Sequence, residues 1–122
     1  MSDRGLDIGT HRFIMVKSTD EKGDGGAYHD YEIECMKDLN GTCATIHFQK
    51  GPVKEVGING CFMEDLLAIC IDRLQCFQAG NFACRENALA LTKIQEAMHW
   101  LDHRTKDRQR RGVEGTSETS EA

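Results

Sequence analysis

The chain has 122 residues and a formal net charge of −5, the size of one domain near the small end of the ordinary range. Its hydrophobic fraction of 39% beside 29% charged residues excludes a disordered chain, and no run approaches the roughly 18 apolar residues of a membrane span. The N-terminus lacks an apolar signal region, and the six cysteines, at 35, 43, 61, 70, 76 and 84, contain no C-x₂-C pair, so a reduced cytoplasmic protein without structural zinc or disulfide framework is expected.

The ends, "MSDRGLDIGT" and "GTSETSEA", offer almost nothing to bury. About 100 residues must therefore build the core, and self-association would help so small a domain. Before Pro52, "RFIMVKS", "YHDYEIECMKD" and "TCATIHFQK" carry β-branched and aromatic residues in short runs, the mark of strands. "EKGDGGA" is a polar, glycine-rich connection. Asn40-Gly41 predicts a two-residue hairpin turn. That turn would pair Leu39 with Thr42, Cys35 with Ile46 and Ile33 with Phe48. It places Tyr31, Ile33, Cys35, Ile46 and Phe48 on an apolar face, with Glu32, Glu34, Thr45, His47 and Gln49 on a wet one, as in an antiparallel sheet covering something.

After "KEVGING" the period changes. Met63, Leu66, Leu67, Cys70, Leu74 and Phe77 recur at helical spacing, with Glu64 and Asp65 in the first turn, where they suit the helix dipole. Gly80 interrupts the pattern. A longer helix is predicted from about Cys84 to Arg110, free of Gly and Pro and rich in good helix formers. Its stripe reads Asn87 (or Ala88), Leu91, Ile94, Met98, Leu101, and Gly112 is the expected stop. The expected fold is α+β in a single domain, residues 1–122: a small antiparallel sheet within 11–52, a two-helix antiparallel hairpin over 58–112, and a polar tail at 113–122.

The most basic stretch is "HRTKDRQRRGVEGT", residues 103–116. Asp102 stands four before Lys106 and Asp107 four before Arg111, favourable pairs on a solvated face. Continuing the apolar stripe beyond Leu101 reaches Arg104, Thr105, Arg108 and then Arg111, and Arg104 and Arg108 have no acid four residues before them. Arginines near a core-facing stripe call for an anion, and the guanidinium fork suits phosphate oxygens. The plainer reading is a helix end that complements the dipole. Phe77 and Phe82 flank the inter-helix turn and could stack on a purine or pack as core, and Asn87 could cap the helix or bond a base or ribose. His99 and His103 have metal-ligand spacing but no third ligand. No phosphate-binding loop, dinucleotide fingerprint, nucleophile elbow or catalytic set is present, so no enzymatic activity is expected. A basic helix that binds nucleic acid is the alternative, opposed by the acidic total and by Glu114, Glu118 and Glu121.

"INGCFMEDLLAICIDRLQCFQAGNFACRENALALTKIQEAMHWLDHRTKDRQRRGVEGT", residues 58–116, resembles the helical-hairpin domain of phage anti-defence sponges. The resemblance lies in "NG…EDLLAI…IDRL", "FQ.G.FACRENALALTK" and "HRTKDRQRRGVEGT". The strand-rich first half resembles the branch of that family directed against Thoeris immunity, which carries a β-sheet before the hairpin; a sister branch acts against CBASS. The resemblance implies a non-enzymatic sponge in the cytoplasm of the infected host, without cofactor or metal. It would bind cyclic ADP-ribose isomers and withhold them, uncleaved, from an effector. In that role Phe77 would stack on the adenine, Asn87 would hydrogen-bond the ligand, and Arg104 and Arg108 would neutralise the pyrophosphate. The resemblance also implies a homo-oligomer, dimer or hexamer, with pockets between protomers. Some relatives take cyclic trinucleotides at a second site, for which Arg110, Arg111, Gly112, Gly115 and Thr116 are the candidates. It implies neither a DNA or RNA polymer nor a membrane as partner.

Overall fold

The computed structural model describes residues 3–10, 14–35 and 41–112. They fall into two compact units that divide between Cys61 and Phe62. The first is a four-stranded antiparallel meander: β1 (Arg4–Gly5), β2 (Ile14–Ser18), β3 (Asp30–Cys35) and β4 (Thr42–His47), in that order across the sheet. A short helix, α1 (Val53–Val56), follows. The second unit holds α2 (Met63–Gln78) and α3 (Arg85–Arg110), which pack on each other. The chain is thus α+β, a sheet followed by helices. Among the described residues no helix is long and apolar enough to cross a membrane.

β1 was not expected, because "MSDRGLDIGT" seemed to offer nothing to bury. Its anchor is polar: the Arg4 Nε donates to Ser18 Oγ at 3.1 Å, and the guanidinium lies 4.1 Å from the centre of the Tyr28 ring. Ser18 is the one fully buried side chain among the described residues, so this hydrogen bond satisfies a hydroxyl removed from water. Lys17 adds a second tie, reaching Asp3 at 2.7 Å and Glu34 at 3.1 Å.

The expected hairpin register is corrected. Ile33 pairs with Ala44 instead of Phe48, and Tyr31 takes Ile46 in place of Cys35. Glu34 pairs with Thr42, which leaves Cys43 as an extra residue, a β-bulge. The Cys35 N–H donates to the Gly41 carbonyl at 3.2 Å, so the strands part well before a two-residue Asn40-Gly41 turn would close them. Residues 36–40 lie outside the described residues. The physical reason is that an even slip leaves every side chain on its original face, so hydrophobic alternation cannot choose between the two registers. Long-range bonds choose: Phe48 donates its N–H to His29 O at 2.8 Å and its ring meets Tyr31 edge-on at 5.8 Å. Phe48 also bridges Cys61 in parallel, which draws the next segment back along β4.

That returning segment is held by two amides. Gln49 Nε2 donates to the carbonyls of Gly57 at 2.7 Å and Gly51 at 3.2 Å, while its Oε1 accepts from Asn59 N at 2.9 Å. Asn59 answers with its own side chain, accepting from Lys50 N and donating to Lys50 O, both at 2.8 Å. Gly60 then passes so close to β4 that a Cβ there would lie 2.5 Å from the Phe48 carbonyl carbon.

The helices begin where the charge pattern predicts. Phe62, an apolar N-cap, has no oxygen to offer α2, but Asp65 accepts from the Phe62 N–H at 2.9 Å, half of a capping box. Leu66, Leu67, Leu74 and Phe77 take the half-buried face as expected. Met63 and Cys70 do not; both are exposed, and Ile71 lies on the inner side. α3 starts one residue later than expected because Cys84 is its N-cap, the sulfur accepting from Asn87 N at 3.4 Å. Asn87, Leu91, Ile94, Met98 and Leu101 form the expected stripe. Gly112, at φ +74°, donates to the Gln109 carbonyl and ends the helix.

Candidate ligand-binding site

The turn between α2 and α3 assembles the first part of the site. Phe77 lies in the last turn of α2, Phe82 in the connection and Asn87 in the first turn of α3. The two rings meet edge-to-face, 6.1 Å apart. Asn87 Nδ2 donates to the Phe82 carbonyl at 3.3 Å, and Gln78 Oε1 accepts from the Cys84 N–H at 3.0 Å. Phe77 is half-buried, whereas Phe82 is 74% exposed. The turn therefore offers an aromatic surface beside a primary amide, the elements needed to stack a base and hydrogen-bond its edge. Arg73, one turn before Phe77, lies over the Phe77 ring at 4.9 Å. That cation was missed in the sequence, although an arginine four residues before an aromatic on a helix is the spacing that brings them together.

The arginines stand far from this turn. Asn87 and Arg104 are seventeen residues apart on one continuous helix, about 25 Å at 1.5 Å per residue. Arg108 keeps to the half-buried stripe that also contains Thr105, but Arg104 is exposed at its flank. The expected acid–base pairs are formed. Lys106 reaches Asp102 at 3.1 Å. Asp107 takes Arg110 at 2.9 Å and Arg111 at 3.7 Å. Arg110 and Arg111, two of the second-site candidates, thus share one carboxylate, with Gly112 beside them; Gly115 and Thr116 lie outside the described residues. One chain brings Phe77 and Asn87 together at one end of α3, and Arg104 and Arg108 together at the other.

The sheet unit has a cavity of its own, about 310 Å³, lined by Asp20, Glu21, Gly23, His29 and Lys50. Asp20 Oδ2 accepts from His29 N at 3.1 Å, while its buried Oδ1 has no partner among the described residues. Lys50, one of the lining residues, reaches Asp30 at 2.7 Å, and His47 reaches the same carboxylate at 2.8 Å. The Lys50 hydrogen bond, then that of His47, hold the Asp30 carboxyl below the usual carboxylate range and outweigh the burial that opposes them. The same bond raises Lys50. None of these groups was picked from the sequence, because they come from three separate segments, 20–23, 29–30 and 47–50, and no local spacing joins them. Among the described residues no group of His, Cys, Asp or Glu is arranged to hold a metal ion.

Comparison with known proteins decides the family. Residues 44–106 match the model of the Acb2/Tad1 hairpin domain. Over 112 residues the chain is 46% identical to Thoeris anti-defense 1 of Bacillus phage SBSphiJ7, covering 88% of this chain and 79% of the relative. The chain belongs to the Acb2/Tad1 family. The Acb2/Tad1 match begins earlier than the resemblance noted in the sequence, taking in the last four residues of β4, α1 and the Gln49–Asn59 brace. It includes Phe77, Asn87 and Arg104 and stops before Arg108. The 46% identity to the phage relative extends well beyond it, since 112 aligned residues must draw in much of the sheet unit.

Proposed function

We propose that this protein is a phage anti-defence sponge, which binds cyclic ADP-ribose isomers in the host cytoplasm and withholds them, uncleaved, from the effector they would activate. The observation that carries the reading is the 46% identity, over most of both chains, to a protein named for its action against Thoeris. Each end of α3 supplies a different half of a nucleotide site. Phe77 stacks on the adenine with Asn87 bonding its edge or the ribose, and Arg104 and Arg108 neutralise the pyrophosphate through charge-assisted hydrogen bonds.

The separation of about 25 Å along α3 means that no single ligand of this size touches both halves within one chain. The site is therefore composite, its aromatic half from one protomer and its arginines from another. α2 and α3 form the two-helix hairpin of a homo-oligomer. The helices support this: neither contains a fully buried residue, and Met63, Ile69, Leu89 and Trp100 are all exposed. Apolar surface left open on so small a unit is what a second copy covers. A cyclic trinucleotide is the second ligand, held at Arg110, Arg111, Gly112, Gly115 and Thr116. The basic-helix nucleic-acid reading lacks support in the family, and Lys106 is already paired with Asp102 on the solvated face.

Calorimetry of the full chain against a set of cyclic ADP-ribose isomers tests the proposal, followed by heat denaturation and mass analysis of the released ligand. Binding of an isomer with recovery of the intact molecule is expected. No binding across the set, or recovery of linear ADP-ribose, would overturn it.

A further inference from the structure

Cys35 and Cys43 face one another across the β3–β4 pair with their sulfurs 3.2 Å apart. The contact depends on the bulge. Strand alternation puts Ala44 and Ile46 on the face of Ile33 and Tyr31, and would turn Cys43 to the opposite side from Cys35. Because Glu34 pairs with Thr42, Cys43 is the extra residue, and the alternation breaks at that position. A bulge of this kind re-aims a side chain, and here it aims one thiol at another. Cys43 is exposed and Cys35 half-buried, so a small thiol reagent reaches the pair from solvent.

We propose that Cys35 and Cys43 are a reversible dithiol–disulfide modification site that locks the end of the β3–β4 pair. The co-reactant is a low-molecular-weight disulfide such as oxidised glutathione. The thiolate of one cysteine attacks a glutathione sulfur, forming a mixed disulfide and releasing one glutathione thiolate. The second protein thiolate then displaces the other glutathione, so two protein thiols are oxidised and one glutathione disulfide is reduced to two thiols. The sulfurs need to close only from 3.2 Å to the bonded distance of about 2.05 Å. Closed, the bond makes a short covalent loop of residues 35–43, which restricts the unfolded chain more than the folded one. In a cytoplasm that keeps thiols reduced the pair stays open, and it closes when the glutathione balance shifts.

The test is native incubation of the full chain at stepped ratios of reduced to oxidised glutathione, followed by alkylation, intact mass and peptide mapping. A loss of two hydrogens is expected, with Cys35 linked to Cys43 while Cys61, Cys70, Cys76 and Cys84 are recovered alkylated. The linked form should melt roughly 5 °C or more above the reduced form, and dithiothreitol should reverse the shift. Cys35→Ser should stop at a mixed disulfide on Cys43. Recovery of Cys35 and Cys43 both alkylated, linkage of either to another cysteine, or a link without a rise in melting temperature would overturn the proposal.

Discussion

Asn87 donates through Nδ2 to the carbonyl of Phe82 at 3.3 Å, and its own backbone N–H is taken by the Cys84 sulfur at 3.4 Å. One residue thus starts α3 and pins the turn that carries the aromatic surface. A ligand that bonds Asn87 has its side-chain carbonyl oxygen as acceptor and the second Nδ2 hydrogen as donor, or must replace the Phe82 bond. Asn87→Ala should therefore act twice, loosening the turn and removing a ligand contact. Asn87→Asp keeps an acceptor but loses the donor to Phe82. We expect both variants to weaken binding of a cyclic ADP-ribose isomer in calorimetry. Full affinity in Asn87→Ala would remove the residue from the site.

Phe77 separates stacking from packing. Phe77→Leu keeps an apolar side chain on the half-buried face of α2 but removes the aromatic plane. Base–aromatic stacking is worth about 1–3 kcal/mol, so affinity should fall roughly fivefold or more while the melting temperature moves by only a few degrees. A drop in melting temperature with unchanged affinity would make Phe77 a packing residue alone.

The proposed composite site gives a mixing experiment. Arg108→Ala removes part of the arginine half and Phe77→Leu part of the aromatic half, so each alone should bind poorly. Refolded together in equal amounts as a two-fold dimer, half the assemblies are mixed, and each mixed assembly has one intact site. About one quarter of the native sites should return. Lys106→Ala, whose ammonium serves Asp102 on the solvated face, is the control and should bind as the parent does. If mixing restores nothing, the arginines and Phe77 do not serve one ligand.

How much of this was legible in the sequence follows the range of the forces involved. α2 and α3 were readable because helical periodicity and capping are local: Leu66, Leu74, Phe77, Leu91 and Ile94 repeat within one or two turns, and Gly112 marks the stop. The paired charges of Asp102 with Lys106 and Asp107 with Arg111 were readable for the same reason. The sheet was only half readable. Alternation assigned the faces of β3 and β4, but Asn40-Gly41 pointed to a register that the bond of Phe48 to His29, and those of His47 and Gln49 to Cys61, overrule. β1 escaped notice because Arg4 is held by a hydroxyl and a ring from distant segments, not by apolar burial. Phe77, Asn87, Arg104 and Arg108 were named together through the family resemblance. Periodicity alone placed Arg108 correctly on the stripe and put Arg104 too far inward.

The Asp30 hub predicts a pH dependence. Lys50 and His47 hold its carboxyl lower in the folded chain than in the unfolded one. The unfolded state therefore takes up protons first, and the contribution is complete above the ordinary carboxylate value near 4. It is lost as pH falls through the depressed folded value. Lys17 works in the opposite direction, its ammonium raised first by the hydrogen bond to Asp3 and then by that to Glu34. Its contribution is complete below the ordinary lysine value near 10.4 and lost as pH rises through the folded one. Asp30→Asn should flatten the acid limb of a melting-temperature profile and, because Lys50 loses the bond that raises it, part of the alkaline limb as well. Lys17→Gln should flatten the alkaline limb. Identical profiles for Asp30→Asn and the parent below pH 4 would show that other carboxylates govern acid unfolding.

Gly60 is the position where backbone approach is tightest. A Cβ there would lie 2.5 Å from the carbonyl carbon of Phe48 and 2.6 Å from the carbonyl oxygens of His47 and Phe48. These are backbone atoms, and the oxygen of His47 already accepts the Cys61 N–H at 2.8 Å. No side chain can swing aside to make room, so Gly60→Ala must push the segment off β4 and stretch the bonds through Cys61. Overpacking of this kind costs about 1–3 kcal/mol. The Gln49 and Asn59 amides, which hold the same segment from its other end, would be strained with it. Gly80, where a Cβ would meet only the Cys76 carbonyl oxygen at an ordinary 3.6 Å, gives the contrast: Gly80→Ala meets no clash and should cost less. Denaturant unfolding of the two variants decides the matter. Gly60→Ala should be the less stable, and equal stabilities would mean that the close approach to β4 contributes nothing the fold requires.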